Sequence, residues 1–451
     1  MITQILAVSI FIVMFVMIVM EKIPRHLITL GAGLLMIVLV FGVCMRSPQA
    51  IIDTLAFKNI FHPSFWYAAH EATEESSGIN WATILFIGGM MVMIEGMGHA
   101  GFFKWLCLTL AKAVKYDPVK ILVAFMTLSA ALAMFIDSIT VILFLARATI
   151  ELARLLRFDP GPMIIAEVFC ANLGGSATMC GDPPNIIIGT SLHYSFGDFI
   201  TNTGPIAGVG LIFTLVYFYI VMHKKVRSEV KDPSLLEYPE PNEVIQSKRD
   251  FFASVIIFAI AVVLLVTHAQ TGLTVATIGI GVAIVTAIVY AKALKDIMAG
   301  VDYKTLLFFV GLFIVVGGLE QTGILELIAN FIAKVSGGNL LITIAIILWV
   351  SAIASAFVDN IPFAATMVPI IKDLAMVEGF DLSTLAWTLS MGTDIGGSAT
   401  PIGASANVVG CSVSSENDRP IGWGEYCKYS APATIIVIAI SMIMLFVRYG
   451  H

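Results

Sequence analysis

Gly174-Gly175-Ser176-Ala177-Thr178 recurs 222 residues later as Gly396-Gly397-Ser398-Ala399-Thr400, and each copy interrupts a long apolar segment. A backbone that breaks among apolar residues must find its hydrogen bonds inside the protein, because hydrocarbon offers none. At the same displacement Phe86 and Gly89 fall on Phe308 and Gly311, Gly101 on Gly323, and Ser129 on Ser351. Asp137 falls on Asp359, and Gly181 and Asn185 fall on Gly403 and Asn407. Upstream of residue 81 the displacement becomes 248 (Gly31 and Gly33 onto Gly279 and Gly281), so the first copy holds 26 additional residues in segment 46–80. The chain is thus a duplication: residues 1–223, a charged, Pro-containing linker at 224–250, and residues 251–451.

Lipid is the solvent for most of it. Of 451 residues 58% are hydrophobic and 12% charged, against roughly a quarter charged in soluble domains, and the mean hydropathy is +0.94. The net charge of −6 gives no reason to expect a nucleic-acid partner. The six cysteines are scattered without a CxxC pair and read as packing residues. Residues 2–20 lack a basic leader and a small-residue cleavage site and read as a first span.

A helix needs about 20 apolar residues to cross a bilayer. Spans are expected at 2–20, 27–45, 81–98, 203–222, 252–268, 273–291, 305–319 and 432–448. Segments 118–156 and 340–375 each place two apolar arms around a polar tip and read as re-entrant hairpins. Segments 162–192 and 383–412 read as broken helices, and 101–115 and 323–335 as amphipathic interfacial helices. Five crossings per half, an odd number, insert the second copy upside down. The expected fold is an all-α membrane protein of two inverted repeats, an arrangement that puts a transport site where the copies meet. Lys22, Arg25, Lys104, Lys112, Lys115, Lys120, Arg154, Arg157, Lys224, Lys225, Arg227, Lys231, Lys248 and Arg249 fall on one side. The linker is therefore expected to be cytoplasmic, with both termini outside, in the plasma membrane of a prokaryote.

The glycine pairs free the backbone to unwind. The exposed carbonyls and the hydroxyls of Ser176, Thr178, Ser398 and Thr400 then form oxygen-rich nests suited to Na⁺, one at Gly174–Thr178 and one at Gly396–Thr400. The half-helices that follow offer N–H groups and a positive dipole end to an anion, and Asn185, Ser405 and Asn407 lie at their heads. Asp137, Ser138 and Thr140 at one hairpin tip, and Asp359 and Asn360 at the other, complete the expected site. Intramembrane carboxylates are costly and read as functional. Asp137, Asp359, Glu167 and Asp394 are proton-coupling candidates, with capping as the competing role for Asp182 and Asp394. Glu151 and Arg154 are spaced as a structural ion pair. Of the basic residues, only Arg147 is expected near the loops. No HExxH, GxSxG or GxxxxGK[ST] motif is present, so neither an enzyme nor an ATP-driven pump is expected, and no cofactor is called for beyond a coupling ion, Na⁺ or H⁺.

Residues 174–189 (Gly-Gly-Ser-Ala-Thr-Met-Cys-Gly-Asp-Pro-Pro-Asn-Ile-Ile-Ile-Gly) and 396–410 (Gly-Gly-Ser-Ala-Thr-Pro-Ile-Gly-Ala-Ser-Ala-Asn-Val-Val-Gly) resemble the paired signatures of the ion transporter superfamily. They are most similar to the branch of the arsenite permeases and the P protein, with a citrate-transporter-like domain. The resemblance spans nearly the whole chain. It implies a homodimer with a fixed scaffold and a transport region that moves like an elevator, with the hairpin tips and loops as substrate and Na⁺ sites. Dicarboxylate members carry Ser-Asn-Thr at each tip, where this chain has Asp137-Ser138-Ile139-Thr140 and Asp359-Asn360-Ile361-Pro362. Carboxylates there repel a multiply charged anion. A small inorganic ion or an oxyacid such as arsenous acid therefore ranks above a di- or tricarboxylate. A passive anion channel on the same scaffold is the alternative, and an ATPase subunit, if any, would be a separate chain.

Overall fold

Short polar residues at matched positions start the helices. Asp117, Asp137 and Asp159 in the first half, and Asn339, Asp359 and Asp381 in the second, each accept a backbone N–H two or three residues on. Such caps satisfy donors that a helix leaves open at its N-terminus. A computed structural model describes residues 2–20, 22–67, 78–227, 238–245 and 247–450. Lys231, the middle of segment 46–80 and residues 228–237 of the linker lie outside the described residues. Among the described residues the chain is helical throughout, with a single isolated bridge between Tyr67 and Leu273.

The first half runs α1 (Ile2–Met20), α2 (Arg25–Met45, its second half wound as a π-helix), three short helices α3 to α5 (Pro48–Leu55, Phe57–Ile60, Pro63–Trp66), α6 (Trp81–His99) and α7 (Phe102–Ala113). Then come the first hairpin, α8 (Pro118–Ala133) and α9 (Ser138–Leu156), the first broken helix, α10 (Pro160–Gly175) and α11 (Pro183–Leu192), and α12 (Phe196–Met222). After the linker follow α13 (Lys248–Val266), the short α14 (His268–Thr271), α15 (Val275–Val289), the short α16 (Leu294–Gly300), α17 (Tyr303–Gln321) and α18 (Ile324–Ser336). The second hairpin is α19 (Leu340–Phe357) and α20 (Asn360–Glu378), the second broken helix α21 (Leu382–Gly397) and α22 (Ser405–Glu416), and the chain ends with α23 (Trp423–Tyr449). Eight of the described helices are long and apolar enough to cross a membrane.

Two expected spans begin too late. The spans placed at 203–222 and 432–448 belong to 27-residue helices, α12 and α23, each with a proline at its tenth position. Their polar first turns repeat an aromatic-Gly-acid-aromatic pattern, Phe196-Gly-Asp-Phe199 and Trp423-Gly-Glu-Tyr426. A comparison at the single displacement of 222 misses this, because α23 starts 227 residues after α12, five more than that displacement.

Packing is reciprocal between the halves. Helix α2 lies against α17 and α15 against α6; α22 lies against α9 and α11 against α20. Within each half the broken helix packs on the hairpin's first arm, α10 on α8 and α21 on α19. This is the pattern a two-fold relation between the copies produces. The hairpin tips are interior: Ile136, Ser138, Asp359 and Asn360 are all buried. The linker returns along α7, where the Tyr116 hydroxyl donates to the Pro239 carbonyl at 2.6 Å and Lys112 pairs with Glu240 at 2.5 Å.

Candidate functional site

Asp182, at the end of the first broken-helix loop, joins the two hairpin tips. Its Oδ1 accepts the Ser138 hydroxyl at 2.7 Å and its Oδ2 accepts the Asn360 amide at 3.0 Å. The carboxylate makes no cap hydrogen bond to α11, the helix it precedes. The capping role weighed for it is therefore replaced by a bridge between tips that belong to different halves. Asp182 also interacts electrostatically with Asp137, Asp359 and Asp394. Asp182 thus feels the charge of three other expected carboxylates.

The tip aspartates are not used alike. Asp137 turns both oxygens onto its own helix, accepting the Thr140 N–H at 3.0 Å and the Thr140 hydroxyl at 2.7 Å. It lines a small crevice with Phe86, Met90, Cys180, Pro183 and Thr305. Asp359 accepts the Ile361 N–H through Oδ1, while its Oδ2 meets Arg25 Nη1 at 2.5 Å and the Ser405 hydroxyl at 2.8 Å. Arg25 Nη1 also lies 3.3 Å from Ser405 Oγ. Arg25 begins α2 and falls among the basic residues used for orientation. The expectation that only Arg147 comes near the loops is corrected here. Nothing local in the sequence signals it, since Arg25 and Asp359 are separated by 334 residues.

The broken-helix loops are held by their asparagines. Asn185 donates to the Gly175 and Thr178 carbonyls at 3.2 and 3.1 Å, and Asn407 donates to Gly397 and Thr400 at 2.7 Å each. These are the carbonyls that unwinding frees, and both amides spend their donors on them. The Thr178 and Thr400 hydroxyls reach the opposite way, onto the Met134 and Ala356 carbonyls at the hairpin turns. Each thereby fastens loop to hairpin within one half. Ser176 donates to the Leu173 carbonyl at 2.7 Å. Gly174 and Gly396 are needed for contact: a Cβ there would lie 2.2 Å from the Ala130 carbonyl oxygen and 2.3 Å from Ala352 Cα.

The two half-helix heads differ. Helix α11 opens on Pro183-Pro184, which have no N–H, and the next two N–H groups bond the Asp182 carbonyl. The expected donors are therefore missing from the first head. In α22, Asn407 and Val408 bond the Ala404 carbonyl, and no side chain caps the helix. That leaves the Ser405 and Ala406 N–H groups of the first turn without a backbone partner among the described residues, while the Ser405 hydroxyl lies 3.3 Å from Arg25 Nη1.

Two more carboxylates lie deeper. Glu167 on α10 is buried and accepts the Thr149 hydroxyl at 2.5 Å through Oε1, while Oε2 has no partner among the described residues. Asp394 on α21 is 0% exposed, and neither of its oxygens has one. Among the described residues no three His, Cys, Asp or Glu side chains are grouped so as to hold a metal ion. Of the spaced pair Glu151 and Arg154, Glu151 instead meets Lys104 at 2.9 Å and Arg154 donates to Asn417 at 2.8 Å.

The sequence model of the citrate transporter family matches residues 15–392. An uncharacterized transporter of Mycobacterium tuberculosis is 31% identical over 452 residues, which is 99% of each chain. The human P protein is 24% identical over 450 residues, covering 82% of this chain and 54% of the P protein. Among solved structures, the YdaH transporter of Alcanivorax borkumensis aligns with a TM-score of 0.60 at 13% identity, covering 99% of this chain and 98% of its own. MtrF of Neisseria gonorrhoeae, described as illuminating a class of antimetabolite efflux pumps, aligns at 0.55 and 12% identity over 89% of this chain and 84% of its own. At those identities the two structures speak for the fold, that of a helical membrane transporter.

Proposed function

This chain belongs to the citrate transporter family, and from there we propose that it is a secondary active transporter of a small oxyanion, inorganic or carboxylate, driven by Na⁺ or H⁺. Arg25 carries the reading. Its guanidinium stands 3.3 Å from the hydroxyl of Ser405, the first residue of α22, a helix that no side chain caps. A fixed guanidinium with a helix N-terminus is a strong recognition element for carboxylates and oxyanions. Asp359 takes the place of the substrate's charge, so the substrate enters by displacing it. The sequence alone ranks citrate low because the tips carry carboxylates without a cation. Arg25 supplies the cation, and the family's description then weighs toward a carboxylate. The hairpins and broken helices travel together past α2 and α17 and their counterparts, and the protein works as a homodimer in the plasma membrane with its linker cytoplasmic.

Flux into proteoliposomes is the test. Citrate, arsenite and chloride are each offered under an imposed Na⁺ or pH gradient, and one of the oxyanions is expected to accumulate against its own gradient. Arg25→Ala should raise the KM for that anion at least about tenfold, the equivalent of one charge-assisted contact. Downhill flux with unitary currents in place of accumulation would make the protein a channel. An unchanged KM in Arg25→Ala would remove the anion from this position.

A further inference from the structure

Glu95 on α6 and Glu320 on α17 lie 225 residues apart, and so do Arg147 on α9 and Lys372 on α20. Each half thus carries an acid on a scaffold helix and a base on the second arm of its hairpin. Both members are displaced by three residues, about one helical turn, from the 222-residue register of the glycine loops. A hairpin enters from the face on which its scaffold helix ends, and its second arm returns to that face. Helix and arm therefore run the same way, and an equal shift preserves the level of acid against base. The two couples are nevertheless in different conditions. Glu320 and Lys372 line one crevice, with Phe313 and Val316 of α17 and Val368 of α20, and α17 packs on α20. Glu95 interacts electrostatically with Arg147, but its carboxylate lies against α16, where a Cβ on Gly300 would stand 2.4 Å from Oε2. Arg147 is exposed, and among the described residues no comparable packing joins α6 to α9. In inverted copies, moving the hairpins along the scaffold closes such a contact at one face and opens its equivalent at the other.

We propose that the two couples are alternative latches. Glu320 with Lys372 holds the hairpins in the position described, and Glu95 with Arg147 holds them at the other end of their travel. Charges in apolar helices are costly and kept for a purpose, and the purpose here is to define two end states of one movement. Each crossing exchanges one ion pair for another. Neither end state is then favoured by more than the difference between a Lys–Glu and an Arg–Glu pair, which is small for partly exposed groups. The inference rests on the transporter reading with its travelling hairpins, and it adds the contacts at which that travel stops.

The test is cross-linking of the full-length chain in proteoliposomes, with its six native cysteines replaced by alanine and with Glu95→Cys, Arg147→Cys, Glu320→Cys and Lys372→Cys combined. A short bifunctional thiol reagent should join 320 to 372 in some chains and 95 to 147 in others, and mass spectrometry should find no chain with both. Chains carrying both links, or none linked at 95 and 147, overturn the latches. A second measurement keeps the native cysteines and carries the test should that chain not fold. Ser191, on the wall of the crevice, is replaced in Ser191→Cys, and its labelling by a soluble maleimide is followed in detergent. Adding Glu320→Gln should speed labelling at least about threefold, the scale of one partly exposed ion pair. Adding Glu95→Gln should slow it. Two static pairs would give changes of the same sign or none, and either result overturns the proposal. If the latches exclude each other while no oxyanion accumulates in the flux assay, the movement stands and the coupled-transport reading falls.

Discussion

Asp182 shows what a single carboxylate can coordinate across a duplication. One oxygen holds Ser138 of the first hairpin and the other holds Asn360 of the second, so any movement of one tip against the other must break a buried hydrogen bond. Asp182→Asn keeps the volume but puts an NH₂ where an acceptor is needed. Transport is expected to fall at least about tenfold, the scale of one charge-assisted bond, with the fold retained, as initial rates measured alongside Tm would show. Asn407→Ala acts instead on stability. It strips two 2.7 Å hydrogen bonds from buried carbonyls and should cost about 2–4 kcal/mol, read as a lowered Tm. The tip aspartates, the loop asparagines and Asp394 were legible because the repeat marks them or because charge is rare in an apolar segment. Arg25 was not legible: its partner is set by tertiary packing, and a basic residue at a helix start has an ordinary role as a topological marker.

At the scale of elements, the matched caps and the glycine contacts were readable as pattern, while the true starts of α12 and α23 were hidden by their polar first turns. Gly396→Ala drives a methyl onto the backbone of α19 at Ala352. Helix α21 must then shift, and a loss of folded protein is expected on size-exclusion chromatography. The first broken helix is also fastened across the halves at its N-cap. Arg419 meets Asp159 through two 2.8 Å bonds and Glu425 at 2.8 Å. Partial burial pushes the Asp159 carboxyl up, but the Arg419 hydrogen bonds, aided by the Gly161 N–H, outweigh it and hold the group below the usual carboxylate range. A carboxyl lowered on folding stabilises the protein above its unfolded pKa, and that contribution is lost as pH falls through the folded value. The Tm gap between wild type and Arg419→Gln should therefore be present at neutral pH and close as pH drops below about 4. The gap should be modest, because both side chains are about a third exposed and solvent screens the pair.

Across the whole molecule, apolarity, odd crossings and the repeat announced a duplicated membrane transporter, but not which helix would touch which. That follows from the reciprocal packing, where α9 is completed by α22 and α20 by α11. The ribosome makes the chain from one end, and residues 138–156 leave it long before residues 405–416 exist. The first half must therefore wait in the bilayer with its polar loop uncovered, in a state that quality-control proteases can recognise. Expressed alone, residues 1–223 should be degraded quickly, and co-expression with residues 224–451 should prolong their lifetime in a pulse-chase measurement. Maturation of this protein is thus an act of late assembly, with its second half serving as the chaperone of its first.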